Sequence, residues 1–414
     1  GRAAAMEDWG ACQRDGRRVR LITLTSPCGA AVKVSTYGAT LVAMQVPDRT
    51  GALGDVLLGF DSLKSYEDHS TYLGCVVGRV CSRIAKASFD LDGETFQLPA
   101  NNGAACHHGG PVGFNRHVWE VAEGPSASSV TLAHVSPHLD QGFPGQLRVR
   151  VTYALLPAEA GHAALSVRFA AETDRTTVVN LTNHAYFNLA GVRGATKEAM
   201  CNHLVSINAD QFIPVGPDNI PLGELRSVEG TAFDFREAAR VGERLARAEG
   251  QAGPCCWSGF AKILRRAAAR AASDAGDEQV AIACGFDHNM VLRPAAGSPP
   301  ACGGTRPLGV SPAPGGLWQR VRPPDAAAED PSTGRRLEVY TTEPAVHFYT
   351  GNYLGSEPPG KGGYPIPRRS GLCFETQHMT DSPNQPHFPS VRLRKGQVWS
   401  SETVFWFPPP RALA

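Results

Sequence analysis

The sequence predicts an all-β protein, a single large antiparallel β-sandwich with few short helices. Two observations carry that expectation. Apolar and polar residues alternate with a period of two along most of the chain, as in strands with one buried face. Gly, Pro, Asp and Asn cluster between those stretches, and 44 Gly with 32 Pro in 414 residues is a surplus suited to many turns. In chain order, strands are expected over 32–34, 41–46, 146–155, 164–170, 177–181, 338–342, 347–350 and 403–407. The intervening text reads as turns: PDRTG at 47–51, DLDGE at 90–94, GFPG at 142–145 and GPDN at 216–219.

Three stretches fall outside this pattern. Residues 1–19 read as a disordered N-terminal extension. Residues 235–251 are helical in composition, and the following 252–280 are Ala- and Arg-rich, read as an insert that forms a surface helix or stays disordered. Residues 294–334 hold 9 prolines and 7 glycines in 41 positions, which predicts a disordered loop with no fixed role in the core. Length alone allows two or three domains, but the alternation is continuous enough for one domain over 20–410 carrying two inserts, 252–280 and 294–334.

Composition excludes several function classes. Lys plus Arg number 40 and Asp plus Glu 39, so the chain lacks the basic excess of a nucleic-acid binder. It has no apolar run of about 18 residues and no signal-peptide core, so neither a membrane partner nor secretion is expected. Eleven cysteines without a C-x-x-C pair suit reduced thiols in the cytoplasm, with Cys81, Cys284 and Cys373 as small buried residues. The want of a long apolar edge pattern favours a monomer.

Four polar constellations interrupt strand-like apolar text. GRVCSRIAK at 78–86 carries Arg79 and Arg83; the planar donors of Arg83 suit neighbouring hydroxyls or a carboxylate, and a structural ion pair would explain it as well. CHHGGPVGF at 106–114 suggests a tight turn presenting an imidazole. VVNLTNHAYFNLAG at 178–191 places Asn183, His184 and Tyr186 in a run too apolar for an exposed loop. GLCFETQHM at 371–379 sets Glu375 inside a strand.

A carboxylate in a buried strand is costly unless it is paired or working. A His and a Glu in apolar walls form an acid–base pair, with burial raising the carboxyl toward a useful base. Taken singly, each is more often a satisfied core group. Neither H-E-x-x-H nor H-x-H occurs, so no metal is expected despite His107, His108, His184 and His288. The phosphate-loop, dinucleotide and G-x-S-x-G patterns are also missing, and no cofactor is expected.

Taken together and in order, the motifs resemble the aldose 1-epimerases, the animal galactose mutarotases above all. They are DVLLGFDSLKSY (55–66), YLGCVVGRVCSRIAK (72–86), HGGPVGFNRHVW (108–119), GFPGQLRVRVTY (142–153), VNLTNHAYFNLAG (179–191), IPVGPDNIPLGELRSVEGTAFDFR (213–236), GFDHNMVL (285–292), RLEVYTTEPAVHFYTGNYL (336–354), SGLCFETQHMTDSPNQPHFP (370–389) and LRKGQ (393–397). The resemblance implies a galactose mutarotase-like supersandwich with a sugar cleft on one sheet. It assigns His184 as general acid and Glu375 as general base, and places Arg83, His108 and Asp287 on sugar hydroxyls with Tyr186 lining the cleft. The implied activity interconverts the α and β anomers of hexoses such as galactose and glucose, without cofactor, the partner being a small uncharged sugar.

Two positions depart from the family pattern. Ser82 stands where Asn usually precedes the arginine, and His347 where Gln usually contacts sugar, so both are candidate sugar-binding positions with altered reach. Three rival readings stay open at this stage: a non-catalytic sugar-binding protein of the same fold, a hexose-6-phosphate 1-epimerase, and a glycosidase using Glu375 with Asp287.

Overall fold

The computed structural model describes residues 4–26, 29–69, 71–159, 161–249, 275–294, 306–313 and 316–411. Among the described residues three large antiparallel sheets, joined by five two-stranded ones, build the fold. An N-terminal five-stranded meander runs through Ala5–Ala11, Arg18–Thr25, Ala31–Ser35, Thr40–Pro47 and Leu53–Asp55. A nine-stranded sheet has the spatial order Glu120–Glu123, Ser129–Ser136, Leu147–Leu155, Ala163–Thr173, Val398–Phe407, Arg336–Thr341, Ala326–Glu329, Leu204–Ile207, Ala239–Arg240. A second five-stranded sheet orders Arg226–Ser227, Ala209–Phe212, Asp287–Leu292, Ala345–Tyr349 and Cys373–Gln377.

The period-two pattern explains the layers. Along Leu147–Leu155 the odd-numbered residues are buried, whereas Arg148 and Arg150 are exposed. That inner face joins Leu165, Val167 and Phe405 of the same sheet to Val32 and Leu41 of the meander and to Phe348 and Phe374 of the second five-stranded sheet. Each such side chain stabilises the fold by about 1.5–3 kcal/mol through burial. The DLDGE turn closes the Ser88–Leu91/Glu94–Gln97 hairpin with Asp92 at φ 54° and Gly93 at φ 86°, the left-handed pair of a two-residue hairpin turn.

The helices are short, Leu63–Asp68, Lys197–Asn202, Val241–Glu249 and Ala275–Ile282. Among the described residues no helix is long and apolar enough to cross a membrane. The helix expected in 235–251 starts only at Val241, and most of the 252–280 insert lies outside the described residues.

Four expectations need correction. The extension 1–19 contributes the strand Ala5–Ala11, an edge strand so exposed that it has no buried face for alternation to reveal; Trp9 packs on Tyr66 at 5.7 Å. The stretch 294–334 does enter the core: Val310–Pro312 pairs with Trp318–Arg320, and Ala326, Ala327 and Ala328 are buried inside the nine-stranded sheet. Alanine has little intrinsic strand preference, and here strands on both sides supply what propensity does not. Residues 295–305 lie outside the described residues. The strand expected over 177–181 shortens to Thr177–Val178. Cys81 and Cys373 are buried, but Cys284 is only half-buried.

Candidate active site

Strand register lays out one wall of a cleft. Asp287, Tyr349 and Cys373 stand opposite one another on three adjacent strands, and Asn289, His347 and Glu375 form the next such row. Successive side chains point to opposite faces, so the intervening row, His288, Phe348 and Phe374, turns inward. Phe348 and Phe374 stack there at 5.6 Å between ring centroids, an apolar floor beneath a polar wall.

His184 comes from a different part of the chain. The two-residue strand Thr182–Asn183 pairs with Val76–Val77, and the His184 amide donates to the Cys75 carbonyl at 2.9 Å. The Asn183 side-chain amide donates to the Gly74 carbonyl, which explains a polar residue in so apolar a run. These bonds hang the imidazole over the wall with Nε2 3.6 Å from Glu375 Oε1. The ring lies near parallel to Tyr186, at 4.9 Å, and to Tyr72, at 5.9 Å.

Arg83, Ser82 and His108 form the facing side. His107 pairs with Arg83 in register. The Ser82 amide donates to His108 Nδ1 at 3.1 Å, and the His108 amide returns a bond to the Ser82 carbonyl. Because Nδ1 accepts, the neutral His108 ring carries its proton on Nε2. Burial, with His107, His184 and Arg83 nearby, holds His108 well below the usual imidazole range, so it stays a neutral donor. Arg83 Nε donates to Asn102 Oδ1 at 3.1 Å, and its Nη1 lies 3.9 Å from Asp287 Oδ2. Arg79 plays no part here: it is buried, lowered by burial to about 10, and donates to the carbonyls of Ser136, Pro137, Pro144 and Gly145.

Charge is distributed unevenly. Burial would raise the Asp287 carboxyl, but the His347 hydrogen bond and Arg83 outweigh it and keep it well below the usual carboxylate range. His184 is lowered by burial, against the pull of Glu375. Burial also keeps the Tyr186 and Tyr349 hydroxyls protonated.

Together these walls enclose a cavity of about 370 Å³, lined by every site residue expected from sequence: Ser82, Arg83, His108, His184, Tyr186, Asp287, His347 and Glu375. It is also lined by Tyr72, Asn102, Tyr349 and Tyr353, for which neither composition nor spacing gave a signal. Tyr72, Ser82 and His108 adopt φ of 57°, 57° and 51°, a left-handed conformation costly for side-chain-bearing residues and often found where a site must be held open.

Donor atoms of His108, His184 and Glu375 lie within 4.8 Å of one another, close enough to consider a metal. The residues fit one poorly, since the Ser82 amide takes the lone pair of His108 Nδ1 and leaves an N–H at Nε2. The same holds for His117, His134 and Asp140, outside the cleft, where the Arg14 guanidinium occupies His117 Nδ1.

The aldose 1-epimerase family model matches residues 20–406. The galactose mutarotase of Bos taurus is 38% identical over 376 residues, 91% of this chain and 90% of that protein. The aldose 1-epimerase of Escherichia coli K12 is 32% identical over 395 residues, 95% and 96% of the two chains. A crystal structure of an aldose epimerase homologue from C. elegans superposes with a TM-score of 0.74 at 26% identity, covering 94% of this chain and 99% of that one. On the strength of this match over nearly the whole chain and the cleft it folds into, the chain belongs to the aldose 1-epimerase family.

Proposed function

We propose that this chain is a mutarotase that interconverts the α and β anomers of hexoses such as galactose and glucose, with Glu375 as general base and His184 as general acid. The observation that carries the reading is the approach of His184 Nε2 to within 3.6 Å of Glu375 Oε1 at the wall of the cavity. In a cyclic sugar the C1 hydroxyl and the ring oxygen are bonded to one carbon. A base and an acid that serve both must therefore stand only a few ångströms apart, as these do.

Glu375 removes the proton of the C1 hydroxyl while the His184 imidazolium protonates the ring oxygen. The C1–O5 bond breaks and leaves the open-chain aldehyde, with a protonated Glu375 and a neutral His184. Rotation about C1–C2 turns the carbonyl over. His184 then takes back the O5 proton as O5 attacks C1, and Glu375 returns a proton to the carbonyl oxygen. Both groups end as they began, so no cofactor enters the balance. The ionised Asp287 accepts from sugar hydroxyls, and Arg83 and His108 Nε2–H donate to them; Ser82 and His347 add contacts, and Tyr186 backs His184.

Polarimetry on galactose and glucose tests the reading. His184→Ala and Glu375→Ala should each abolish anomerisation, and near-wild-type rates in either variant would overturn it. A hexose 6-phosphate is disfavoured, because Arg83 is the one arginine or lysine among the described residues lining the cavity and it already faces Asp287. A glycoside control separates hydrolysis, in which His184 would have no role. The reading extends to a cytoplasmic monomer. Buried thiols at Cys75, Cys81, Cys106 and Cys373, none in a disulfide, support a reducing compartment, and light scattering checks the oligomeric state.

A further inference from the structure

One strand grips the His184 imidazole at both nitrogens. Glu375 and Cys373 are two residues apart on Cys373–Gln377 and so share a face. Glu375 Oε1 faces Nε2 at 3.6 Å, and Cys373 Sγ faces Nδ1, also at 3.6 Å, within reach of a sulfur hydrogen bond. The sulfur is wholly buried among Tyr186, Tyr349 and Leu354. We propose that Cys373 is a positioning residue that keeps the fixed proton of His184 on Nδ1, so that Nε2 alone carries the mobile proton used in anomerisation. The proposal rests on the acid–base reading above.

Proton inventory on the ring sets the requirement. When the imidazolium gives its Nε2 proton to the ring oxygen, the neutral ring must keep its other proton on Nδ1. An acceptor at Nδ1 fixes that tautomer, and fixes the ring plane with it. A carboxylate there would do so firmly, but it would also stabilise the imidazolium and make it a poorer acid. A neutral thiol is a weak donor as well as a weak acceptor, but against the imidazolium, protonated at both nitrogens, its sulfur can only accept, so it orients the ring on Nδ1–H while leaving the imidazolium acidic. Burial pushes the Cys373 thiol well above its ordinary range, which keeps it neutral.

The other groups packed around the ring do not compete for Nδ1. Tyr186 and Tyr72 cover its faces, and His108 and Tyr349 meet it edge to face. Glu375 acts on its charge from the Cys373 strand, His347 and Asp287 from the two strands beyond it, and the Cys75 carbonyl holds its backbone.

The test combines kinetics with nitrogen NMR of the His184 ring in the full chain. In the wild type the neutral ring should show the Nδ1–H signature. Cys373→Ala should mix the tautomers and lower kcat on the order of tenfold with KM little changed. Cys373→Ser, close in size and a stronger acceptor, should keep the Nδ1–H form, restore most of kcat and move the alkaline limb of the pH profile upward. Wild-type kcat, pH profile and tautomer in Cys373→Ala would overturn the proposal, as would an Nε2–H tautomer in the wild type. If Cys373→Ala does not fold, the wild-type tautomer and the Cys373→Ser pH limb decide alone, an unshifted limb counting against the proposal. The two readings fail separately: an active His184→Ala refutes the acid–base assignment, whereas an inactive His184→Ala beside an unchanged Cys373→Ala refutes only the role of the thiol.

Discussion

His347 Nε2 lies 2.7 Å from Asp287 Oδ1, a diagonal contact across two neighbouring strands that places a buried carboxylate and an imidazole side by side in the cleft. The pair makes Asp287 a fixed negative charge, because the hydrogen bond and Arg83 overcome what burial would do to the carboxyl. A group whose folded pKa is depressed stabilises the fold above its unfolded pKa, and that contribution is lost as pH falls through the folded value. His347→Ala should therefore cost about 3–5 kcal/mol at pH 7, and the deficit should shrink below about pH 4, where the unfolded carboxyl is protonated. Urea midpoints across pH check this. A deficit that stays constant down to about pH 2 would mean that the imidazole contributes packing alone.

The His184 ring should titrate below an ordinary imidazole, since burial lowers it and Glu375 only partly opposes that. Proton NMR of the ring carbons reads the midpoint directly. Glu375→Gln removes the opposing negative charge and should move the midpoint further down. The alkaline limb of kcat/KM in the free wild-type enzyme should coincide with the wild-type midpoint, because the imidazolium is the acid. An upward shift in Glu375→Gln would contradict the electrostatics of the pair.

The two faces of the Glu375 strand should respond differently to substitution. Phe374 is buried against Phe348 in the core, and Phe374→Ala should lower stability by about 3–5 kcal/mol. Glu375→Gln keeps the volume and should change stability by less than about 1 kcal/mol while lowering kcat by roughly 10²–10⁴-fold. Denaturant melts beside polarimetry separate the effects. Equal stability losses at both positions would contradict the inward and outward assignment.

How much of this was legible beforehand depended on whether a residue's environment leaves a periodic trace. Strands with one buried face, such as Leu147–Leu155, alternate visibly, and Glu375 stood out because a carboxylate interrupts an apolar, wholly buried strand. His184 stood out through the apolarity of its surroundings. That His184 and Glu375 meet was not legible from spacing, since 191 residues separate them and a short bridge to Val76–Val77 delivers the imidazole. The edge strand Ala5–Ala11 and the alanines of Ala326–Glu329 left no trace, one exposed on both faces and the other lacking strand preference. Tyr72 was silent for a third reason: its role comes from a left-handed backbone that only the fold reveals.

The Pro-rich region offers the sharpest test of that gap between composition and structure. Asp325 is fully buried and accepts from Arg306 Nη2 at 2.8 Å, from both terminal nitrogens of Arg322 at 2.9 and 2.8 Å, and from the Thr341 amide at 2.8 Å. Arg306 also donates to the Arg293 carbonyl, tying the region to the end of the Asp287 strand. Asp325→Ala would leave the buried Arg306 without its carboxylate, and removing one partner from a buried pair costs about 3–5 kcal/mol. A surface loop without a core role would lose less than about 0.5 kcal/mol. Thermal and denaturant melts distinguish these outcomes by a wide margin. Because Arg293 directly follows the strand Asp287–Leu292, the loss should also raise KM for hexose more than it lowers kcat, a split that an unstructured segment could not produce.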